Sequence, residues 1–240
     1  MGDRDLDVNK LKGELELNEY GELIGKLKDM IDKMNNFSKG LKSKDAVNEY
    51  KGGFSLRILL LNESIFKIIT IAPPTRAKQL TLDEYCELNV NFHGFHLHLF
   101  GALENLAWIW FHEKNDGKYL TKNDSKTVVS LFKEKFVDYF NHNDRMFKLH
   151  EDYKDWHMFF SEYRDPTVHR IPMIVSYMYR DGEKLLVGNI NDKNKPEEFY
   201  KLVYMIPYSV EETWGFFHKR NILDMGFFLE IIDRYMAAFN

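Results

Sequence analysis

The stretch from residue 81 to 109 constrains this chain more than any other. Thr81-Leu82-Asp83-Glu84 has the Thr-x-x-Glu form of a capping box, in which the Thr oxygen and the Glu carboxylate satisfy backbone donors that a helix start leaves orphaned. From there Leu88, Phe92, Phe95, Leu99, Ala102, Leu106 and Ile109 follow a 4-3-4-3-4-3 spacing, the seam of a helix packed along other helices. A helix over 82–113 is about 45 Å long at roughly 1.5 Å per residue. Asn115-Asp116-Gly117 then turns the chain. A spine of that length must be covered along its apolar seam, so the rest of the sequence has to supply partner helices.

Several segments have the required period. Leu23, Ile24, Leu27, Met30, Ile31 and Met34 fall at helical spacing over 19–36, while the charged and weakly patterned residues 1–18 are expected to form a loose arm. Residues 54–72 are apolar enough to be buried on more than one side; length favours a helix over two short strands, and Pro73-Pro74 ends either. Val128, Val129, Phe132, Phe136, Val137 and Phe140 predict a helix over 125–140. Asn141-His142-Asn143-Asp144 breaks the chain and caps a further helix carrying Met146, Leu149, Tyr153, Trp156, Phe160 and Tyr163.

After Pro172 the period changes. Residues 173–179 and 184–190 are β-rich runs on either side of Arg180-Asp181-Gly182-Glu183, and Asp-Gly signals a hairpin. Short helices are expected at 197–205 and 209–219 around Pro207, and a last helix at 222–239 burying Leu223, Phe227, Ile231 and Tyr235 or their neighbours. The fold class is therefore mainly α, a single domain over residues 1–240 with five to seven helices and a small β-hairpin near 173–190. A chain of 240 residues buries about 70–75% of its unfolded surface. The 19 Phe and 13 Tyr are available to fill thick helical interfaces.

Charge narrows the partners. A net charge of -4 gives no global pull toward nucleic acid or an anionic membrane, so any such contact must come from a local patch. The lone Cys86 cannot form an intrachain disulfide or a Cys-rich zinc site. No apolar run reaches about 18 residues, which argues against a membrane span. The N-terminus lacks the basic start and apolar run of a signal peptide, so the cytoplasm is the expected location.

The candidate site is the stretch Glu162-Tyr163-Arg164-Asp165-Pro166-Thr167-Val168-His169-Arg170-Ile171-Pro172. Arg164 can hold a phosphate, and His169 can move a proton near neutral pH. On an uninterrupted helix positions five apart lie about 140° around the axis, so the two would not converge. Pro166 disfavours helical geometry at Asp165 and suits the first turn of a new helix, with Asp165 as its N-cap. The expectation is a helix–proline–helix junction, with the new helix's amides adding to an anion site made by Arg164 and Arg170.

Arg164-Asp165-Pro166-Thr167-Val168-His169 resembles the Arg-polar-x3-His motif of the HEPN superfamily, the higher eukaryotes and prokaryotes nucleotide-binding domains. The resemblance extends over roughly 80–172, including Leu103-Glu104-Asn105-Leu106-Ala107 on the long helix. It implies an HEPN-like helical bundle, commonly a homodimer that joins the motifs of two subunits. It also implies a metal-independent endoribonuclease, or an RNA- or nucleotide-binding relative without activity, in a defence or toxin–antitoxin setting. His169 would then serve as general acid or base at the ribose 2′-hydroxyl and the leaving oxygen, Arg164 would stabilise the phosphate charge, and Asp165 would orient its neighbours. No metal or other cofactor is required by that scheme.

Competing readings stand beside this one. Arg164 and Asp165 can form a helix-boundary salt bridge with His169 as an ordinary packed histidine, in a non-catalytic helical interaction or ligand-binding protein. His93 and His96 share a side of the long helix at a spacing able to bind metal, with His98 nearby; packing or an interface accounts for them better, since no carboxylate completes a ligand set on that side until Glu104. Glu104, among Leu103, Leu106, Ala107 and Trp108, is a candidate for tuning Arg164 or His169 from a neighbouring helix.

Overall fold

The computed structural model describes residues 3–76, 80–114, 128–140, 142–169 and 210–239. These residues are mostly helical and contain no strand. Helix α1 (Asp3–Ser38) is followed by α2 (Lys44–Asn48), a π-helical stretch (Glu49–Phe54) and α3 (Ser55–Ile71). Next come α4 (Leu82–Lys114), the short α5 (Glu134–Val137) with a 3-10 turn (Asp138–Phe140), α6 (Asp144–His169) and α7 (Val210–Phe239).

The long helix starts as its sequence requires. The Thr81 amide donates to Glu84 Oε2 (2.7 Å) and the Glu84 amide to Thr81 Oγ1 (3.2 Å), the reciprocal pair of a capping box. Glu84 also receives the fork of Arg76, Nη2 to Oε2 at 2.8 Å, which ties the turn after Pro73-Pro74 to the helix start. The Thr81 amide, and then Arg76, hold the Glu84 carboxyl below its ordinary range. Along the seam, Leu88, Phe95, Leu99, Ala102, Leu106 and Ile109 are buried, and Phe92 packs against them half-buried.

α4 is the spine: α3 packs along it most extensively, α2 and the π-helical stretch cross it, and α6 lies against it. α1 and α7 form the other layer, with α7 contacting both α1 and α6. Tyr235 of α7, fully buried, donates to the Leu106 carbonyl of α4 (2.8 Å), and Trp110 donates to the Tyr139 carbonyl (2.8 Å). The end of α7 is tied down by side chains that meet its last carbonyls: Asn143 Nδ2 at Ala238 (2.9 Å), Lys114 Nζ at Phe239 (3.3 Å), and Arg145 at Ala237. Buried residues from α1 to α7 join in one core.

Five expectations from the sequence are corrected or settled. Helix α1 begins at Asp3, so the segment expected as a loose arm is helical, and Glu16 on it is buried. Within residues 54–72, Ser55–Ile71 form helix α3, not strands. The helix over 125–140 is broken: residues 129–133 are non-helical, with a turn closed by the Lys133 amide on the Ser130 carbonyl (3.2 Å). Of the predicted apolar positions, Val128, Val129, Phe132, Phe136 and Phe140 are nevertheless buried and Val137 packs half-buried against the core, so the pattern read burial largely correctly and periodicity incorrectly. Adjacent β-branched Val128-Val129 followed by Ser130 gives weak helix propensity, and burial alone decides the outcome.

α6 runs without a break through Pro166 to His169, so the junction expected there is absent. A proline within a helix removes one donor and crowds one carbonyl, a local cost of about 3 kcal/mol that does not by itself end the helix. The helices expected at 209–219 and 222–239 are one, since no Gly or Pro interrupts residues 216–225. Its buried face carries Met225, Phe228, Ile231, Ile232 and Tyr235, while Leu223 is 47% exposed. The hairpin expected at 173–190 and the helix at 197–205 lie outside the described residues.

Candidate functional site

Helix α6 carries the Arg-Asp-Pro-x-x-His stretch, and its start is well defined. Asn143 caps it, its Oδ1 accepting from the Met146 amide (3.0 Å), after His142 has turned the chain in the left-handed region (φ 58°). Met146 and Leu149 are fully buried, and His150 is bonded through Nδ1 with the Leu131 carbonyl (2.9 Å). His157 lies between the rings of Phe100 (4.9 Å between centroids) and Phe132 (4.6 Å), which locks α6 to α4. Trp156 donates to Asp224 of α7 (2.9 Å).

Arg164, Asp165 and His169 occupy the last turns of this helix. Because the backbone is helical throughout, positions 164 and 169 lie about 140° apart around its axis. Arg170 lies outside the described residues. Glu104 sits half-buried in the middle of α4, one turn after Phe100 and so one turn from the contact with His157.

Beside α6 lies a polar cluster that sequence reading did not single out. Arg220 and Asp224, four residues apart on α7, form a two-point ion pair, Nε to Oδ2 at 2.9 Å and Nη2 to Oδ1 at 2.7 Å, with Trp156 as a third donor. Asp224 is fully buried, and that burial pushes its carboxyl up to about 6 against the opposing pull of Arg220 and Trp156. His96 of α4, 5% exposed, bonds the Phe92 carbonyl (3.0 Å); burial holds its imidazole down to about 4, and the Arg220 charge adds to that. Further along, the Tyr20 hydroxyl of α1 lies 3.0 Å from His218 Nδ1, and burial holds His218 down to about 3 and raises Tyr20. Both histidines are therefore neutral at physiological pH and serve as packed hydrogen-bonding groups. The signal for this cluster was the i, i+4 Arg-Asp pair inside the apolar pattern of residues 216–232.

Spacing alone is a poor guide to chemistry here. Arg145 and His150 repeat the Arg-x4-His spacing on the same helix, yet Arg145 bonds the Ala237 carbonyl and His150 is buried on the Leu131 carbonyl, so this copy is structural. His93, His96 and His98 of α4 do not form one constellation. Residues two apart lie about 200° around a helix; accordingly His96 faces Arg220 on one side while His98 faces Arg57 on the other. Among the described residues no group of three or more His, Cys, Asp or Glu is arranged to hold a metal ion. Nor is any helix among them long and apolar enough to cross a membrane.

No family model, no curated protein and no solved structure matches this chain.

Proposed function

We propose that this chain is an HEPN-like protein directed at RNA, in which Arg164 holds a phosphate and His169 moves a proton during metal-independent cleavage. The observation that carries this reading is an Arg-Asp-Pro-x-x-His stretch ending a long helix of a mainly α bundle. In the reaction the ribose 2′-hydroxyl gives up its proton to a base as its oxygen attacks phosphorus, the bond to the 5′-oxygen breaks and that oxygen takes a proton, leaving a 2′,3′-cyclic phosphate. His169 is assigned to proton transfer, Arg164 to the charge that builds on the phosphoryl oxygens, and Asp165 to orienting them. Arg170 adds a second cation for the substrate, and Glu104 is assigned to tuning the site from α4. With positions 164 and 169 on different sides of one helix, a second copy of the chain supplies the complementary group at each site, which makes a homodimer part of the proposal.

The test is cleavage of single-stranded RNA by the purified full chain in the presence of a chelator. His169→Ala is expected to lower the rate by about 100-fold or more with the fold intact, and Arg164→Ala to lower it as well. A folded His169→Ala variant that still cleaves contradicts the assignment.

A second reading has its own support. On the outer face of α3, Leu56, Leu59, Leu60 and Phe66 are each at least 40% exposed, which favours a non-catalytic interaction protein. Wild-type protein that binds no RNA and cleaves none would favour that reading.

A further inference from the structure

The packing seam between α3 and α4 holds an arginine that the described residues orient and leave uncompensated. The two helices approach closely because glycines face their neighbours. A Cβ at Gly101 would collide with the Arg57 guanidinium, a Cβ at Gly53 would collide with the Asn105 side chain, and a Cβ at Gly94 would come within 2.8 Å of Ser64 Oγ. Gly94, His98, Gly101 and Asn105 follow steps of four, three and four, so they form one stripe along α4. That stripe lies to one side of the apolar seam and faces α3.

Within it Arg57 is fixed at one edge only. Its Nε donates to Asn105 Oδ1 (3.0 Å), and Asn105 Nδ2 in turn donates to Glu49 Oε2 (3.0 Å). Glu49 therefore reaches Arg57 through a neutral amide and not directly. Among the described residues Nη1 and Nη2 of Arg57 have no hydrogen-bond partner, and no carboxylate lies within ion-pair distance of it. The guanidinium is half-buried and laid against Gly101, with neither terminal nitrogen paired among the described residues. Beside it, His98 Nδ1 is buried and has no partner among the described residues, while the burial of the ring, and then the Arg57 charge, hold the imidazole below its ordinary range. Glu49 starts the π-helical stretch that carries Gly53 against Asn105, and π-helical insertions recur at functional sites.

We propose that Arg57 and His98, aligned by Asn105 on the glycine-lined seam of α3 and α4, form a binding site for a phosphoryl oxyanion. The fork of Arg57 matches two oxygens of a tetrahedral anion, and an imidazole N–H supplies a third donor. The role of Glu49 is to orient Asn105 without neutralising the guanidinium. This site lies on the side of α4 away from the contact with α6 and stands independently of the motif at 164–169. Inorganic phosphate and the phosphate of a mononucleotide share the chemistry it recognises.

The experiment is calorimetric titration of the full chain at low salt with inorganic phosphate and, separately, with adenosine 5′-monophosphate. Saturable binding to the wild type is expected, weakened about tenfold or more by Arg57→Gln, the loss of a charge-assisted pair. Gly101→Ala keeps the charge but displaces the guanidinium, and is expected to weaken binding comparably. Binding of both anions identifies the phosphoryl group as sufficient; binding of the nucleotide alone, still dependent on Arg57, identifies a nucleotide as the source. The proposal is overturned if neither anion binds at millimolar concentration or if folded Arg57→Gln binds as the wild type does. Affinity unchanged in His169→Ala keeps this site distinct from the motif, whereas its loss there would overturn a separate site.

Discussion

Two regions on nearly opposite sides of α4 pair an arginine with a histidine, and they have been built to different ends. On the α7 side, Arg220 is closed by a two-point contact to buried Asp224, Trp156 adds a donor, and His96 is sealed at 5% exposure. On the α3 side, Arg57 is held among the described residues only through Nε by a neutral amide, and its carboxylate neighbour Glu49 is kept one residue away. The contrast teaches that residue types do not distinguish a structural network from a binding site. What distinguishes them is whether the charge is compensated inside the protein. Both guanidinium groups are half-buried, but the Asp224 carboxylate is fully buried and must be paired, because an isolated buried charge costs several kcal/mol. A half-buried guanidinium supported by an amide can wait for an external anion.

The largest expected effect of this difference is in pH dependence. His96 and His218 have folded values of about 4 and 3 against an ordinary 6.5. For groups depressed in this way, the stability they contribute is fully present above the unfolded value and is lost as pH falls through the folded values. Asp224, raised from 3.8 to about 6, acts in the opposite sense: its contribution is present below the unfolded value and lost as pH rises through 6. Two histidines outweigh one carboxyl, so denaturant unfolding is expected to show stability declining by an order of several kcal/mol between pH 6.5 and 3. A flat profile across that window would break the claim that the α7 side is sealed and neutral.

Mutations should separate the two regions more sharply. Asp224→Ala leaves Arg220 without its carboxylate and Trp156 without its acceptor, and is expected to cost about 3 kcal/mol in chemical denaturation. Arg57→Gln, measured without any anion, is expected to cost about 1 kcal/mol, the loss of its single neutral-acceptor hydrogen bond to Asn105. Equal losses at the two positions would erase the distinction.

Much of the scaffold was legible in the sequence, for identifiable reasons. The capping box at Thr81 and Glu84 and the Leu88–Ile109 seam depend on local chemistry and a single period, and both are found as written. Asn143 likewise caps the helix it was expected to cap. The break after Val128 was hidden because its apolar residues kept a helical spacing while being buried from a turn. The junction at Pro166 was over-read: a proline lowers helix preference locally, and α6 is continuous through it. Spacing alone identified neither polar region: Arg220 and Asp224 stand at i, i+4, but their tie to Trp156 and His96 comes only from packing. The Gly94-His98-Gly101-Asn105 stripe is periodic, but its meaning comes from Arg57 and Gly53 arriving from elsewhere in the chain, which only helix packing can arrange. Arg145-x4-His150 shows the converse, a suggestive spacing whose side chains are spent on backbone carbonyls.

The most direct test of the contrast is to follow the arginine side-chain Nε–H resonances of the full chain by nuclear magnetic resonance while inorganic phosphate is added. The resonance of Arg57 is expected to move and saturate while that of Arg220 stays fixed. A stationary Arg57, or an Arg220 that moves together with it, would contradict the account.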